Sequence, residues 1–286
     1  SQELSVAQPS VSQTIKELEN FYEVTLFERA NRKLILTKEG ELLLNKAKEV
    51  ISRFDEFEIL ANNKDLNPTI KIGSTMTFGA FVLPRFKEIL NERYPNLDPK
   101  FTVERPIAIE EKILLGELDF AFVEGLIKNN YINAQCIGED ELVAVCAPNY
   151  DVPEKMKLVD LVKYPLGVRE KDNPSRRILD YHLAIKGVKI IQPLLESISN
   201  NCILSLAIEG NGIGIVPAAI ARRWLINGKI RKIELDIPLK RKLFVITHKN
   251  KTMNASTIKA YNLAKEILGI VRKEREEKDE QNKPGL

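Results

Sequence analysis

With 286 residues, 44% of them hydrophobic and 29% charged, and a formal net charge of +3, the chain has the composition of a soluble globular protein of two or three domains. No apolar run approaches the roughly 18 residues that a membrane span needs, and the first ten residues lack the charged and apolar regions of a secretory signal. Three cysteines and two histidines are too few for a disulfide framework, a metal site or a catalytic triad, so we expect a cytoplasmic protein that has no cofactor and is not an enzyme.

The first predicted element is a short amphipathic helix over residues 8–20. Pro9 suits the first position of a helix, and Val11, Ile15 and Leu18 recur on one face at the helical spacing. The side chains that project from the other face are polar: Gln8, Ser12, Gln13 and Lys16.

The helix is followed by a predicted two-stranded wing. Two short apolar segments, residues 26–27 and 34–36, flank a polar stretch at 28–33 whose tip is basic. Residues 1–60 nevertheless carry eight Lys and Arg against eleven Asp and Glu. Any binding of nucleic-acid phosphates by this segment would therefore depend on locally placed basic side chains and on helix N-termini, not on a general positive field.

A long helix of about 24 residues is predicted next, with Thr37 as its N-cap. Its apolar positions repeat at spacings of four and three residues from Leu43 to Ala61, which is the pattern of a coiled-coil seam. We therefore predict self-association; packing of the seam on the chain's own core is the alternative. The candidate dimerisation residues are Leu43, Ala47, Val50, Phe54 and Phe57. Residues 62–68 have the composition of a linker.

From residue 69 onwards, short apolar strands alternate with helices, which predicts a largely parallel α/β domain. The predicted strands are 69–73, 100–104, 119–123, 141–147, 166–169, 189–195, 212–216 and 243–248, and the predicted helices are 80–93, 107–115, 174–185, 201–209, 218–227 and 256–271. The set of strands and helices occurs twice, and the strands 141–147 and 243–248 can cross between the two sets. We therefore expect two lobes around a hinged cleft.

Two loops of this domain combine hydroxyl groups with the start of a helix. Ser74, Thr75 and Thr77 form one of them, and Ser175, with Arg169 shortly before it, belongs to the other. Helix N-termini favour anions because their first N–H groups are unpaired. These residues predict a small anionic ligand, either a carboxylate or an inorganic oxyanion. The alternative is that each hydroxyl only caps its helix.

The glycine-rich segment Gly210–Gly214 has the letters of a dinucleotide-binding motif, but that motif requires a strand, then the glycines, then a helix. Here a helix precedes the glycines and a strand follows them. We interpret the segment as a helix C-cap and turn.

The order of several short motifs resembles the LysR family of transcriptional regulators. These motifs are residues 4–19, 26–29 and 36–40, followed by Ile72–Gly73, Leu83–Pro84, Tyr94–Pro95, Gly116–Ala121 and Gly210–Pro217. The resemblance covers about residues 1–270. It implies a winged helix-turn-helix over residues 1–39, a coiled-coil linker and hinge over 40–68, and an effector-binding domain over 69–275. That domain has the two-lobed fold of type 2 periplasmic binding proteins, with lobe I at about 69–143 and 246–272 and lobe II at about 144–245; a flexible tail is expected at 276–286.

In this family the helix at residues 8–20 enters the major groove. There the resemblance implies that amide side chains read adenine edges and that serine contacts a base or a phosphate, while the wing binds phosphates. Many relatives have arginine at the position of Gln13, so the base preference of this chain is open there. The residues predicted to contact DNA are Gln8, Pro9, Ser12, Gln13, Lys16, Arg29, Arg32 and Lys33.

The resemblance also implies that the segment 197–200 joins the two hydroxyl-bearing loops around the effector. The predicted effector-binding residues are Ser74, Thr75, Thr77, Arg169, Ser175, Ser199 and Asn200. Effector binding would change the closure of the lobes, then the arrangement of dimers in a tetramer, and so the bending of the bound DNA. The expected partners are double-stranded promoter DNA, a small anionic metabolite and further copies of the chain in a homodimer or homotetramer, with no membrane.

Members of the family have about 16–20 further residues before the position of Ser1, so the chain as written is expected to bind DNA poorly. The main alternative function is a solute-binding protein of transport type, which shares the two-lobed fold but explains neither the seam nor the motifs at residues 4–40. An enzyme that uses the cleft is the second alternative, and no nucleophile–base pair, metal spacing or paired acids support it.

Overall fold

The computed structural model describes residues 8–30, 33–62, 69–189 and 192–281. The chain divides into two compact units, one of Ser1–Leu66 and Leu114–Glu117 and one of Asn67–Ile113 and Leu118–Leu286. Within the described ranges, no helix combines the length and the apolar character that crossing a bilayer requires.

The described elements of the first unit follow the predicted order. They are α1 (Gln8–Tyr22), β1 (Phe27–Ala30), β2 (Lys33–Leu36) and α2 (Lys38–Asn62). The two strands pair antiparallel, with Phe27 opposite Leu36, so the predicted wing is confirmed. The carboxylate of Glu19 accepts hydrogen bonds from the backbone N–H groups of Leu26 and Phe27, at 2.7 and 3.2 Å, and so fixes the chain between α1 and the wing.

The N-cap predicted at Thr37 is also confirmed. The N–H of Gly40 donates a hydrogen bond to Oγ1 of Thr37 at 2.9 Å, which satisfies one of the N–H groups that the first turn of α2 leaves unpaired. The same hydroxyl donates to the carbonyl of Thr25 at 2.6 Å. One side chain thus starts the long helix and holds it to the segment before the wing.

The larger unit is built on a ten-stranded mixed sheet. Its strands are β3 (Thr69–Thr75), β4 (Asp98–Glu104), β5 (Phe120–Glu124), β6 (Ile132–Cys146), β7 (Lys155–Met156), β8 (Leu166–Arg169), β9 (Leu195–Ser197), β10 (Ile213–Pro217), β11 (Arg231–Leu235) and β12 (Leu239–His248). Its helices are α3 (Met76–Phe81), α4 (Leu83–Arg93), α5 (Pro106–Leu114), α6 (Pro174–Ile185), α7 (Asn200–Ile208), α8 (Ala218–Ile226) and α9 (Ala255–Gln281), with a 3-10 helix at Leu158–Lys163.

The sheet contains two parallel groups of strands joined by two long antiparallel strands. Its main path runs β4-β3-β5-β12-β6-β10-β8-β9. Strand β3 is parallel to β4 and β5, which gives the first lobe, and β8 is parallel to β9 and β10, which gives the second. Strands β6 and β12 pair antiparallel from Leu239 opposite Leu142 to His248 opposite Ile132, with a shift of register between Leu243 and Phe244. The expected two lobes and two crossing strands are therefore present.

Helices cover both faces of each lobe. In the first lobe, α3, α4 and α9 share a core with the buried phenylalanines of β5, and in the second lobe α6 packs in one core while α7 and α8 pack in another. Helix α5 lies on the other face of the first lobe, where Gly73 allows a close approach: a Cβ there would lie 3.3 Å from the side chain of Ile109. Burial of each large apolar side chain contributes about 1.5–3 kcal/mol.

Several predicted boundaries are wrong. Strand β3 continues to Thr75, so Ser74 and Thr75 are strand residues and not loop residues. The helix predicted at 80–93 is two helices, because α4 restarts with Pro84 in its first turn, where a missing N–H costs nothing. Of the strand predicted at 189–195, residues 190 and 191 lie outside the described part of the structure, and β9 starts at Leu195, after Pro193, which cannot donate to a ladder.

The closing helix is longer than predicted. Helix α9 continues to Gln281, six residues into the segment for which the sequence predicts a flexible tail from 276. Arg85 of α4 binds Glu274 with its Nε and Nη2 atoms at 2.9 and 2.7 Å, which holds this part of the helix against the domain. The sequence also gave no indication of β7, β11 or the 3-10 helix.

Candidate functional site

The boundary between the lobes contains a buried network of charged and hydroxyl groups. Strand β5 is buried along its whole length and ends on Glu124, whose carboxylate accepts a hydrogen bond from the Thr75 hydroxyl. Nη1 of Arg241 lies 3.5 Å from Oε1 of Glu124 and donates to Oγ of Ser175 at 3.0 Å. The guanidinium also binds Asp140 on the neighbouring strand, with Nη2 2.7 Å from Oδ2. Such partners are what allow charged groups to remain inside a protein.

This network runs from one lobe to the other. Thr75 and Glu124 end strands of the first lobe, Arg241 and Asp140 are opposite each other on the crossing strands, and Ser175 lies in the first turn of α6 in the second lobe. The main chains of the two lobes also approach each other at this network.

Gly125, the residue after Glu124, has φ +102°, and a Cβ on it would lie 2.6 Å from Cβ of Pro174. Both the backbone conformation and the approach of the second lobe require glycine at this position.

The structure places two of the predicted effector-binding residues, Thr75 and Ser175, in this network. Two others have buried polar atoms that lack a hydrogen-bond partner among the described residues: Oγ1 of Thr77 and Oδ1 of Asn200. A buried polar atom without a partner costs about 1–3 kcal/mol. These two atoms are therefore the strongest candidates for contact with a ligand.

The remaining predicted effector residues form hydrogen bonds within the protein, Ser74 and Arg169 through their side chains and Ser199 through its backbone N–H. The Ser74 hydroxyl donates to the carbonyl of Thr75 at 2.9 Å. Arg169 is buried and binds the carboxylate of Glu170 at 2.9 and 3.1 Å. The N–H of Ser199 donates to Oγ of Ser197 at 3.0 Å. No hydrogen bond in the described part of the chain joins Arg169, Ser199 or Asn200 to the interlobe network.

At the start of α6 the helix is capped by an amide and not by the hydroxyl of Ser175. Oδ1 of Asn173 accepts the N–H of Ser175 at 2.9 Å, so the side chain of Asn173 is the N-cap and Pro174 follows it in the first turn. One of the N–H groups predicted to bind an anion is therefore already used.

Sequence reasoning missed Glu124, Asp140 and Arg241. A signal was present for two of them. Glu124 is a carboxylate at the end of the apolar segment Phe120–Val123, and Arg241 occupies an alternating position between Leu239 and Leu243, both buried. Alternation along a strand should have placed this arginine inside, where it needs acidic partners.

The side of α1 that is predicted to face DNA is only partly described. Pro9, Ser12, Gln13 and Lys16 are exposed, whereas Val11 and Ile15 are half-buried, in agreement with the predicted faces. Nε2 of Gln13 donates to Oε1 of Glu17 at 3.0 Å, a contact on the helix surface that DNA could replace. The side chains of Gln8, Arg29 and Lys33, and the whole of Arg32, lie outside the described part of the structure.

The seam of α2 is exposed. Val50, Phe54 and Phe57 keep 67%, 58% and 65% of their surfaces accessible, and Leu43 and Ala47 are also exposed. These side chains are not covered within a single chain, which is the exposure that self-association through the seam requires.

The glycine-rich segment is a helix end, as predicted. Gly210 has φ +71° after the end of α7, and the N–H of Asn211 donates to the carbonyl of Leu206 at 3.0 Å. Strand β10 follows. Among the described residues there is no group of three or more His, Cys, Asp or Glu arranged to hold a metal ion.

Two family models match the chain. The LysR substrate binding domain matches residues 63–266, and the bacterial regulatory helix-turn-helix protein of the lysR family matches residues 1–41. Among curated proteins, the HTH-type transcriptional regulator CysL of Bacillus subtilis (strain 168) is 26% identical over 251 residues, which are 86% of this chain and 83% of that protein.

Two solved structures share the fold. A hydrogen-peroxide-bound cysteine mutant of Corynebacterium glutamicum OxyR has a TM-score of 0.64 at 20% identity, over 96% of this chain and 86% of that chain. The regulatory domain of Synechocystis PCC6803 CcmR, solved in complex with 2-PG, has a TM-score of 0.62 at 18% identity, over 68% of this chain and 94% of that chain.

Proposed function

Because the chain belongs to the LysR family and is a DNA-binding transcriptional regulator with an effector-binding domain, we propose that a small anionic metabolite bound between the two lobes controls its activity on promoter DNA. The two-lobed α/β domain has the expected fold of type 2 periplasmic binding proteins. A solute-binding protein of transport type accounts for that domain alone and leaves the match of residues 1–41 unexplained.

The observation that carries the effector proposal is the buried network that connects the lobes. An anion that enters there competes with Glu124 for the Thr75 hydroxyl and for the guanidinium of Arg241. It also offers an acceptor to the unpartnered hydroxyl of Thr77. Because Arg241 binds groups of both lobes, exchange of its partners alters the relative free energies of the lobe arrangements. The CcmR regulatory domain bound to 2-PG is a precedent for a small ligand in a domain of this fold.

We propose that α1 lies in the major groove and that the wing contacts the flanking phosphates, so that Gln13 and Ser12 contact base edges. The exposed seam of α2 supports a homodimer, or a homotetramer made from two of them. An effector would then act on DNA through the arrangement of these copies.

The effector proposal predicts that some small anions stabilise the protein and that their uncharged analogues do not. The panel consists of mono- and dicarboxylates, phosphate and sulfate. The amides of the carboxylates serve as the neutral analogues. A ligand at one hundred times its Kd adds about 2.7 kcal/mol to the free energy of unfolding, or about 5–10 °C in Tm for a domain of this size. Thr77→Val, which removes the unpartnered hydroxyl, should reduce the shift.

The matched control is Thr252→Val, which changes an exposed threonine in the loop before α9. It should leave the shift unchanged. Stabilisation by the neutral analogues alone, with no anion effective, would refute the anionic effector.

The DNA proposal predicts that Gln13→Ala weakens specific binding by about 1–3 kcal/mol, or roughly 5- to 150-fold, since a bidentate amide contact with adenine is worth that much. Fluorescence anisotropy of the full-length protein on the DNA upstream of its own gene measures this, with a scrambled duplex for non-specific binding. Gln135→Ala, in β6 of the larger unit, is the matched control. If the Gln13→Ala variant and the parent protein bind the specific duplex with equal affinity, Gln13 does not contact a base.

A further inference from the structure

The backbone of Leu26 is the junction at which α1, the wing and α2 are joined. Its N–H donates to the carboxylate of Glu19 in α1 at 2.7 Å, and its carbonyl accepts the N–H of Thr37, the N-cap of α2, at 3.0 Å. The next residue, Phe27, begins β1 and donates its N–H to the same carboxylate at 3.2 Å. A single residue between α1 and the wing is thus bound to both helices.

Glu19 also organises the end of α1. Its carbonyl accepts the N–H of Val24 at 3.0 Å, and Glu23, the residue before Val24, has φ +53°. A hydrogen bond of that span around one left-handed residue is a common helix end, in which the left-handed position is most often glycine. A glutamate adopts that conformation only where the surrounding contacts hold it. Glu19 therefore directs the chain through both its main chain and its side chain.

The first turn of α2 packs directly on the same junction. Gly40 is buried, and a Cβ on it would overlap the carbonyl oxygen of Leu26. This close approach requires glycine at position 40. The contacts of α2 with the junction involve main-chain atoms, which have little freedom to rotate. On the side of α1, the restraint is the pair of hydrogen bonds accepted by one carboxylate.

The angle between α1 and α2 determines how far apart two copies of the chain hold their α1 helices. The middle of the seam, at Val50, lies about 18 Å along α2 from its start, at a rise of 1.5 Å per residue. A rotation of about 10° at the junction then moves α1 by roughly 3 Å, close to the 3.4 Å rise of one base pair. Such a rotation changes the spacing of the half-sites that a dimer fits.

We propose that Glu19 is a positioning residue for DNA recognition: its carboxylate fixes the angle between α1 and α2, and so the half-site spacing that the dimer prefers. This inference rests on the proposed function, which places α1 in the major groove and the dimer seam on α2. Glu19 is half-buried, like Val11 and Ile15, and does not lie on the exposed face that carries Ser12 and Gln13. It therefore acts through the position of the helix.

Fluorescence anisotropy of the full-length protein on three kinds of duplex tests this. The first is the DNA upstream of its own gene, the second has one to four base pairs inserted between the half-sites that footprinting locates there, and the third contains one half-site. The parent protein should lose at least about tenfold in affinity when two base pairs are inserted, because both α1 helices can then no longer reach their half-sites.

Glu19→Ala should keep the parent's affinity for the single half-site to within about twofold. On the uninterrupted upstream DNA it should bind about tenfold more weakly, and it should distinguish the inserted duplexes from it by less than about threefold. Glu19→Gln should restore the parent's spacing profile, because the amide oxygen can still accept both N–H groups.

Gly40→Ala acts on the junction from the side of α2 and should also change the spacing profile, since the added Cβ displaces α2 from Leu26. Its matched control is Gly269→Ala, in α9, where an added Cβ meets no described atom within 4 Å. Glu39→Ala, at an exposed position in the first turn of α2, controls for the loss of a carboxylate. Both controls should keep the parent's profile.

The proposal is wrong if Glu19→Ala keeps the parent's spacing profile, or if Gly40→Ala does. It is also wrong if Glu19→Ala loses helix content by circular dichroism, or loses as much affinity for the single half-site as for the complete site, because Glu19 then supports the fold of the reader and not its angle. These results leave the proposed function intact. A parent protein that does not bind the upstream DNA, or binds two half-sites no more tightly than one, contradicts the proposed function itself and this inference with it.

Discussion

Replacing Arg241 with methionine is expected to lower the free energy of unfolding of the effector-binding domain by about 3–5 kcal/mol. Methionine matches the aliphatic part of the arginine side chain but has no guanidinium, so it leaves the buried carboxylates of Glu124 and Asp140 without their counter-charge. An uncompensated buried charge is among the most destabilising changes that a single substitution can make. Urea unfolding followed by circular dichroism measures the loss.

Lys240→Met is the matched control, because it makes the same change at the exposed neighbouring position and should alter stability by no more than about 0.5 kcal/mol. Adding Glu124→Gln and Asp140→Asn to the Arg241→Met variant should recover part of the lost stability, since both unpaired charges are then removed. A loss below about 1 kcal/mol in the single variant would mean that water or other groups satisfy the two carboxylates.

Replacing Phe54 with aspartate should weaken self-association by about a thousandfold. Burial of a phenylalanine contributes about 2–3 kcal/mol, and a symmetric interface loses that contribution in both copies. The two introduced carboxylates also repel each other across the seam. Light scattering coupled to size-exclusion chromatography should show that the parent protein is a dimer or tetramer and that the variant is a monomer.

Leu42→Asp controls for the introduction of a charge into α2. Leu42 is 53% exposed, yet it lies outside the heptad positions of the seam, about 100° around the helix from Leu43. The Leu42 variant should keep the parent's mass. If both variants remain associated, the seam is not what holds the copies together.

Most elements of the fold could be predicted from local patterns. Strand β8 and helix α6 have the predicted bounds because the apolar residues of the strand are followed by Asn173 as N-cap and by Pro174, which are strong local signals for the start of a helix. Thr37 and Gly210 were identified for the same reason. The wing and the heptad seam also depend on residues that are close together in the sequence.

The polar chemistry of the cleft could be predicted only in part. Local sequence identifies hydroxyl groups near helix starts, which is how Thr75, Thr77 and Ser175 were found. It does not show that Glu124 pairs with Arg241, 117 residues further along the chain. That pairing depends on how the crossing strands bring the two lobes together, and the same contact determines which hydroxyl groups remain available to a ligand.

The paired crossing strands restrict how one lobe can move against the other. Ten residue pairs connect β6 and β12, and the ladder shifts register between Leu243 and Phe244. An antiparallel ladder twists more readily than it breaks, and a bulge is where its twist is greatest. We therefore expect the lobes to turn about the long axis of the ladder, near the bulge, without parting at the cleft. A bound effector then changes the angle by which one lobe is rotated against the other about the ladder axis, and not the width of the cleft.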